Sequence, residues 1–256
     1  MNSETLSRVK SNVYYSNHWW ASTIKYTTFF SYSERFHAET ALKLLRGIRI
    51  DGNVLDVGMG SGLLIGKLHT KVHQFIGMDI SLLNIKLIRR LFKKDHSITP
   101  LPVDPFQSVL PLKSECFDIV FCNHVLEHVP DDSLLLKEIH RVLRPGGYAV
   151  FMVPINEENI EVPTHVRKYS EQSITNLIRS QFKIVKSGSN DLVSSYIRKY
   201  GVKKKIIYTT LKRILIFTCS FVPSHFAFYI DQFLLKRIRN KGARSQCFIL
   251  SRKPPQ

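Results

Sequence analysis

The chain has 256 residues and carries 37 lysines and arginines against 20 acidic residues, a formal net charge of +17. Its length suits one α/β domain with additions, and a hydrophobic fraction of 44% is enough to bury a sizeable core. None of the four cysteines stands in a C-x-x-C pair, and residues 1–12 carry no apolar run typical of a signal peptide. We therefore expect a reduced, cytoplasmic protein and exclude a disulfide-stabilised secreted scaffold.

The predicted elements alternate between helices and strands through most of the chain. An aromatic-rich segment leads into a helix at 34–46. Five strands are then predicted, at 53–57, 73–79, 99–104, 117–122 and 147–154. After a polar loop, Ser170 is placed to cap a helix at 171–180, which precedes strands at 182–188 and 247–253. Strands that alternate with helices are typical of a parallel sheet covered on both faces.

The most informative segment is LDVGMGSG, at the end of the first predicted strand. Gly58, Gly60 and Gly62 let the backbone bend sharply and let a ligand approach without meeting a Cβ atom. The dinucleotide-binding fingerprint needs its third glycine at position 63, where this chain has Leu63. Asp56, at the end of the strand, would repel a pyrophosphate but suits a ligand that carries an ammonium group.

Together with this glycine turn, four further segments in the same order resemble the class I S-adenosylmethionine-dependent methyltransferases. They are FIGMDIS, VDPFQSVLPL, FDIVFCNHVLEHV and RVLRPGGYAVFMVP, and the similarity is close over residues 52–154. The pattern most resembles the small-molecule branch that includes the quinone-biosynthesis enzymes. The resemblance implies S-adenosylmethionine as cofactor, with Asp56 facing its ammonium group, Asp79 its ribose hydroxyls and Asp104 its adenine amino group. It assigns further cofactor contacts to Ile80, Pro105 and Asn123.

The resemblance also implies a Rossmann-like, three-layer α/β fold. Its sheet has seven mostly parallel strands in the order 3-2-1-4-5-7-6, with the last strand antiparallel. We expect an aromatic N-terminal lid and helix at residues 1–48 and a cofactor-binding core at 49–190. A basic and apolar cap is expected at 191–245, and a last core strand with its tail at 246–256. The cap is the most individual feature, because it separates by about sixty residues two strands that form a hairpin in the resembled family.

The cap carries much of the excess positive charge. Residues 191–256 hold fourteen lysines and arginines and two aspartates, and basic residues flank an uncharged run at 214–230. A membrane-spanning helix needs about 20 apolar residues, and Pro223 and His225 interrupt this shorter run. Two interpretations stay open: an anchor that lies on an anionic membrane surface, and a buried helical pair that covers the substrate site. The two are compatible if the methyl acceptor is lipid-linked.

Methyl transfer to a hydroxyl group needs an oriented donor and a base that removes the hydroxyl proton. His124, just after the fourth strand, and His165, in the loop after the fifth, are the preferred catalytic bases, and His128 and His18 are further candidates. The preferred acceptor is a small or lipid-linked molecule methylated on oxygen, with nitrogen and carbon left open. Substrate contacts are expected from three side chains in the later loop and the lid, Arg167, Tyr169 and Trp19.

Other functions are less well supported. Nucleic acid is not favoured as a partner, because the loop after the fourth strand lacks the N/D-P-P-Y/F sequence of nucleic-acid amino-methyltransferases. Residues 124–128 match the H-x-x-E-H pattern of zinc peptidases, but Pro130 ends the helix that this pattern needs, and we assign no metal. Some related quinone methyltransferases hold a divalent ion in this loop, with an acid where this chain has His124. Methylation of nucleic acid or protein and cofactor binding without catalysis remain the alternatives, and the oligomeric state is left open.

Overall fold

The computed structural model of the protein describes residues 32–103, 109–157, 162, 164–190 and 246–255. Within these residues the helices are α1 (Tyr32–Leu44), α2 (Leu63–Leu68), α3 (Leu82–Leu91), α4 (Asp132–Val142) and α5 (Glu171–Arg179). The strands are β1 (Asn53–Val57), β2 (Gln74–Asp79), β3 (Ile98–Pro102), β4 (Phe117–Asn123), β5 (Leu143–Pro154), β6 (Lys183–Asn190) and β7 (Gln246–Arg252).

The seven strands form one sheet in the order β3-β2-β1-β4-β5-β7-β6. Strands β1 to β5 pair in parallel, whereas β7 is antiparallel to both β5 and β6. This confirms the predicted Rossmann-like fold and its strand order. From β1 the sheet extends in one direction to β2 and β3 and in the other direction to β4 and β5. The loops that follow the neighbouring strands β1 and β4 therefore emerge side by side.

Strand residues alternate between the two faces of the sheet, and each face packs against its own helices. In β4, Ile119 and Phe121 belong to the core that α1, α2 and α3 cover. Val120 and Cys122 belong to the core that α4 and α5 cover. Burial on both sides explains why the central strands are continuous hydrophobic runs in the sequence. The two cores hold the sheet rigidly and leave its carboxyl edge for polar residues.

The start of β5 differs from the prediction, because this strand begins at Leu143 rather than near residue 147. It follows α4 directly, and its register against β4 shifts after the first pair, Phe117 with Leu143. Gly146 has a φ of +77°, and a Cβ atom on Gly147 would lie 2.9 Å from a backbone carbonyl oxygen. The two glycines therefore belong to an irregular strand start, which the sequence pattern indicated as a separate turn.

The other predicted helices and strands begin and end within two residues of their expected bounds. The predicted cap at Ser170 is confirmed, since its hydroxyl accepts the Ser173 N–H and the two residues form a capping box. The lid with Trp19 and His18, the pair Asp104 and Pro105, and the cap at 191–245 lie outside the described residues. In the described ranges, no helix is long and apolar enough to cross a bilayer. The boundaries of the four segments stay predictions.

Candidate active site

The glycine turn after β1 contacts both β2 and the loop after β4. Its first two amides donate to the Met78 carbonyl oxygen at 2.8 Å. Gly58, Gly60 and Gly62 have φ values of 75°, 53° and 72°, in the left-handed region that residues with a Cβ atom avoid. A Cβ atom on Gly58 would lie 2.4 Å from Cγ2 of Val125, in the β4 loop. The turn therefore needs glycine both for its backbone conformation and for this close packing.

Asp79, the last residue of β2, is buried and holds the turn through its carboxylate. One carboxylate oxygen accepts the Gly60 N–H at 2.7 Å, and the other accepts the Ser81 N–H at 2.7 Å. The Asn84 amide nitrogen lies 3.5 Å from the same carboxylate. Burial raises the pKa of Asp79 to about 6, although these three hydrogen bonds oppose the shift. Its predicted contact with ribose hydroxyls stays a prediction.

Asp56 is a second buried acid at the same edge of the sheet. It lies opposite Gly77 in the register of β1 and β2, and Gly77 is two residues before Asp79. Burial and, second, the negative charge of Asp79 raise the pKa of Asp56 to about 8. Because a nearby cation stabilises the ionised form of a carboxyl group, two such acids favour a positively charged ligand. The predicted contact of Asp56 with an ammonium group rests on this argument.

The geometry of this edge fits S-adenosylmethionine, which carries positive charge on its sulfur and its amino group. A Cβ atom on Gly60 would meet no atom within 4 Å, so the protein leaves the space beside the turn open. Ile80 is partly exposed directly after Asp79. On the β4 side, Oδ1 of Asn123 is buried and has no hydrogen-bond partner in the described part of the chain. The turn, the two acids and Asn123 are therefore the residues that could hold the cofactor.

His124 stands immediately after β4 and has a backbone φ of +55°. Its N–H donates to the Met152 carbonyl oxygen at 2.8 Å, and its Nδ1 lies 3.3 Å from Oε1 of Glu127. Among the described residues, its Nε2 is buried without a hydrogen-bond partner. An imidazole with a carboxylate at Nδ1 can accept a proton at Nε2, because the carboxylate stabilises the resulting positive charge. His124 thus has the arrangement of a general base.

Glu127 is the acid on which this arrangement depends, and its side chain is only 1% exposed. Burial by itself raises the pKa of Glu127. The hydrogen bond with His124 and the charges of His124 and His128 outweigh burial, so the pKa of Glu127 lies below its ordinary value. The acid therefore stays ionised beside the two imidazoles at neutral pH, although it is buried.

Two further histidines, His128 and His165, lie close to Glu127. Nδ1 of His165 is 2.8 Å from Oε2 of the buried Glu157, and Nδ1 of His128 is 2.9 Å from the Thr164 carbonyl oxygen. The two rings meet edge to face with centroids 4.8 Å apart. One ligand atom each from Glu127, His128 and His165 lies within 4.8 Å of the others, so these side chains could hold a divalent metal. Our assignment of no metal stays a prediction.

Arg167 and Tyr169 hold the β4 loop from the segment that follows β5. The Arg167 guanidinium donates to the carbonyl oxygens of residues 126, 129 and 130 and pairs with Asp132 at 3.3 Å. The Tyr169 hydroxyl donates to Asp132 at 2.6 Å, and Tyr169 forms an isolated β-bridge with Ile155. These hydrogen bonds and this ion pair of the Arg167 side chain thus run to the loop and the start of α4. Their predicted contacts with substrate stay predictions.

The structure adds residues that the sequence analysis did not select. Glu127 could have been found from the H-x-x-E spacing in the loop, since a turn brings residues three apart together. His37 in α1 and Gln246 at the start of β7 also lie at this edge, because the His37 and His124 rings stack and Gln246 bonds to His37. Only the folded sheet brings these two to His124, and no local pattern marks them.

Two family models match the part of the chain that forms this site. A family model described as a methyltransferase domain matches residues 55–151, and one described as an S-adenosyl-L-methionine-dependent methyltransferase matches residues 105–203. The chain carries a class I S-adenosylmethionine-dependent methyltransferase domain. The first match begins in β1 and ends in β5, so it contains the glycine turn, both buried acids of the turn and the β4 loop.

Curated relatives match part of this chain over part of their own length. The ubiquinone biosynthesis O-methyltransferase of Bradyrhizobium diazoefficiens is 36% identical over 110 residues, which are 43% of this chain and 41% of that protein. That of Idiomarina loihiensis is 31% identical over 98 residues, or 38% and 40%. The malonyl-[acyl-carrier protein] O-methyltransferase of a Marinomonas species is 32% identical over 100 residues, or 38% and 36%. The matched part is thus about two fifths of these relatives' length.

Solved structures extend the likeness over most of the chain, at the level of fold. The [4+2]-cyclase SpnF has a TM-score of 0.60 and 17% identity, with 86% of this chain and 82% of SpnF covered. The N-methyltransferase NodS of Bradyrhizobium japonicum, solved with S-adenosyl-L-homocysteine, has a TM-score of 0.57 and 14% identity, with 86% and 87% covered. Since one of these is a cyclase, the fold of the methyltransferase domain does not by itself select the reaction.

Proposed function

We propose that the protein uses S-adenosylmethionine to methylate a hydroxyl oxygen of a small or lipid-linked acceptor. The observation that carries the proposal is the buried Nε2 of His124, which has no partner among the described residues. Val125, the next residue, packs against Gly58, so His124 stands beside the glycine turn. A hydroxyl acceptor needs a base at this place, whereas a carboxylate acceptor is already ionised at neutral pH. The unpaired nitrogen therefore favours a hydroxyl acceptor.

The residues of the site divide the work. When bound, S-adenosylmethionine supplies an electrophilic methyl group on its sulfonium. The glycine turn and Asp79 bind and orient the cofactor, and Asp56 faces its ammonium group. His124 accepts the acceptor's hydroxyl proton at Nε2, and the ionised Glu127 stabilises the imidazolium that forms. Orientation of the two reactants supplies much of the remaining rate enhancement.

Two similarities support oxygen as the methylated atom. The ubiquinone biosynthesis and malonyl-[acyl-carrier protein] enzymes are both O-methyltransferases by name, and they match 43% and 38% of this chain. Oxygen acceptors are of two types, which differ in whether the oxygen must lose a proton. A phenol must lose one, but a malonyl carboxylate is ionised already. The unpaired His124 supports the first of these two acceptor types.

The test is methyl transfer from S-adenosylmethionine with a radiolabelled methyl group. The acceptors are simple phenols, phenols with a polyprenyl chain, a malonyl thioester and primary amines. We expect label to appear on the phenols, with the prenylated ones preferred if the acceptor is lipid-linked. Transfer to the thioester alone would contradict the role of His124. Cofactor binding without transfer to any acceptor would indicate a cofactor-binding protein without this catalysis.

We also propose that the protein is cytoplasmic and binds anionic membranes reversibly through residues 203–241. The support is the sequence, in which basic residues flank the uncharged run 214–230. The test is flotation with anionic and neutral vesicles at low and high salt. We expect binding to anionic vesicles, release by salt, and weaker binding when Lys203, Lys204 and Lys205 are changed to glutamine. Failure to float with anionic vesicles at low salt would indicate a cap over the substrate site.

A further inference from the structure

The His124 ring is linked to two side chains from distant parts of the chain, to His37 directly and to Gln246 through His37. The His37 ring of α1 stacks on the His124 ring, with centroids 4.4 Å apart and planes at 31°. The Gln246 amide nitrogen, at the start of β7, lies 2.7 Å from Nε2 of His37. Gln246 is 7% exposed and pairs with Pro154 at the end of β5. The group therefore links α1, the β4 loop and β7.

The bond with Gln246 fixes the protonation state of His37. The amide N–H donates to Nε2 of His37, so this nitrogen carries a lone pair and the ring is neutral. Burial and, second, the charge of His124 hold the pKa of His37 well below its ordinary value, in agreement with a neutral ring. A neutral His37 can lie against the face of His124 without repelling a positive charge that forms there.

On its other side, the His124 ring is held by Glu127 and by its own backbone. The carboxylate 3.3 Å from Nδ1 orients the N–H of that nitrogen and leaves Nε2 as the proton acceptor. The backbone φ of +55° is a left-handed conformation that costs free energy in a residue with a Cβ atom. The surrounding contacts must offset this cost, and the His37 ring against the imidazole is one of them.

We propose that His37, held by Gln246, is a positioning residue that fixes the His124 imidazole with Nε2 facing the methyl acceptor. The proposal deepens the proposed function and rests on His124 as the base. It places the control of the base in α1 and β7, which directly follow the two parts of the chain expected to form the lid and the cap. Neither His37 nor Gln246 needs to touch the acceptor for this role.

The first experiment measures the ring itself, without any substrate. Nitrogen-15 NMR of the full-length protein reports the tautomer of each histidine. In the wild-type protein we expect His124 in one tautomer, with the proton on Nδ1. His37→Ala and Gln246→Leu should convert this single state to a mixture of tautomers, whereas His69→Phe should not. His69 is a matched control, because its ring also contacts an aromatic ring and a side chain, Phe92 and Asp95, far from the site.

The second experiment is turnover of the simple phenol that the wild-type protein methylates fastest. We expect His37→Ala to lower kcat roughly 10- to 100-fold, as misplacement of a catalytic group does, with KM for S-adenosylmethionine unchanged. His37→Phe retains a ring but removes the acceptor for Gln246, so its kcat should lie between those of wild type and His37→Ala. This variant also serves if His37→Ala does not fold.

The two experiments separate the failure of this proposal from failure of the proposed function. A single His124 tautomer in both His37→Ala and His37→Phe, with kcat within twofold of wild type, would overturn the positioning role. Absence of phenol methylation by the wild-type protein would instead contradict the proposed function, and the tautomer measurement would then decide alone whether His37 fixes the His124 ring.

Discussion

The two sides of the candidate site are built in different ways. On the donor side, where the methyl donor is expected to bind, the backbone forms the site. It consists of three glycines in left-handed conformations and a buried acid that binds two backbone amides. On the side of the methyl acceptor, side chains form it: His124 contacts Glu127 in its own loop and His37 in α1. A backbone site can accept only one ligand geometry, whereas a side-chain site changes with each substitution. We infer that the donor side fixes the cofactor and the acceptor side sets the acceptor.

The largest effect is expected on the acceptor side. His124→Ala should lower turnover roughly 10²- to 10⁴-fold, because it removes the base for a hydroxyl acceptor. The affinity for S-adenosylmethionine should stay within about twofold, since the glycine turn is untouched. Steady-state kinetics with a phenol and calorimetry with the cofactor give the two values. His165→Ala is the comparison, and a loss confined to that variant would move the base to His165.

Gly60→Val tests the donor side. The φ of +53° is strained for any residue with a Cβ atom, and the added side chain would occupy the open space beside the turn. We expect the affinity for S-adenosylmethionine to fall at least tenfold. The control is Gly66→Ala in α2, where a Cβ atom meets nothing within 4 Å, and which should stabilise the fold by about 0.5–1 kcal/mol. Equal cofactor affinity in Gly60→Val and wild type would contradict the role of the turn.

The pH dependence of cofactor binding tests the two acids. Burial holds their pKa values at about 8 for Asp56 and about 6 for Asp79, above the ordinary value, so at pH 7 Asp56 is mostly neutral and Asp79 mostly ionised in the free protein. A cationic ligand favours the ionised form, so binding at pH 7 should release protons. The affinity for S-adenosylmethionine should rise with pH up to about pH 8, by at most about tenfold per pH unit for each acid that ionises.

Calorimetry in two buffers of different ionisation enthalpy counts the protons released. In Asp56→Asn the release at pH 7 should largely disappear, because the group that titrates near this pH is gone. Without ligand the same shifts act on folding. Each group's contribution to stability is greatest below pH 3.8 and is lost as pH rises through its folded-state pKa, about 6 for Asp79 and about 8 for Asp56. Proton uptake on binding would contradict this account of the acids.

The smallest effect is expected on substitution of Arg167, which binds the backbone of the β4 loop. Arg167→Leu removes the donors to three loop carbonyl oxygens and should cost about 1–3 kcal/mol of unfolding free energy. Arg144→Leu is the control, because Arg144 pairs with Asp118 at a largely exposed site, where ion pairs contribute about 0–1 kcal/mol. Urea denaturation measures both. A large increase in the KM for the phenol without loss of stability would instead support the predicted substrate contact of Arg167.

The same difference between the two sides explains what could be predicted from the sequence. The donor side depends on residues close in sequence, so the spacing of Gly58, Gly60 and Gly62 and the acid before them marked it directly. The strand order followed from the resemblance of five ordered segments. On the acceptor side, His37 and Gln246 meet His124 only through the pairing of β7 with β5 and the packing of α1. A residue pattern along the chain cannot show such contacts.

The most direct test of the account is calorimetric titration of the full-length protein with S-adenosylmethionine at pH 8, beside the variant Asp79→Asn. Asparagine has nearly the same shape as aspartate, but it cannot accept both amide bonds as a charged group does. We expect binding by the wild-type protein and at least tenfold weaker binding by the variant, or about 1.4 kcal/mol, as is typical of charge-assisted hydrogen bonds. Equal affinities would contradict the role of Asp79 in cofactor binding. Binding of a nicotinamide dinucleotide in preference to S-adenosylmethionine would contradict the cofactor itself.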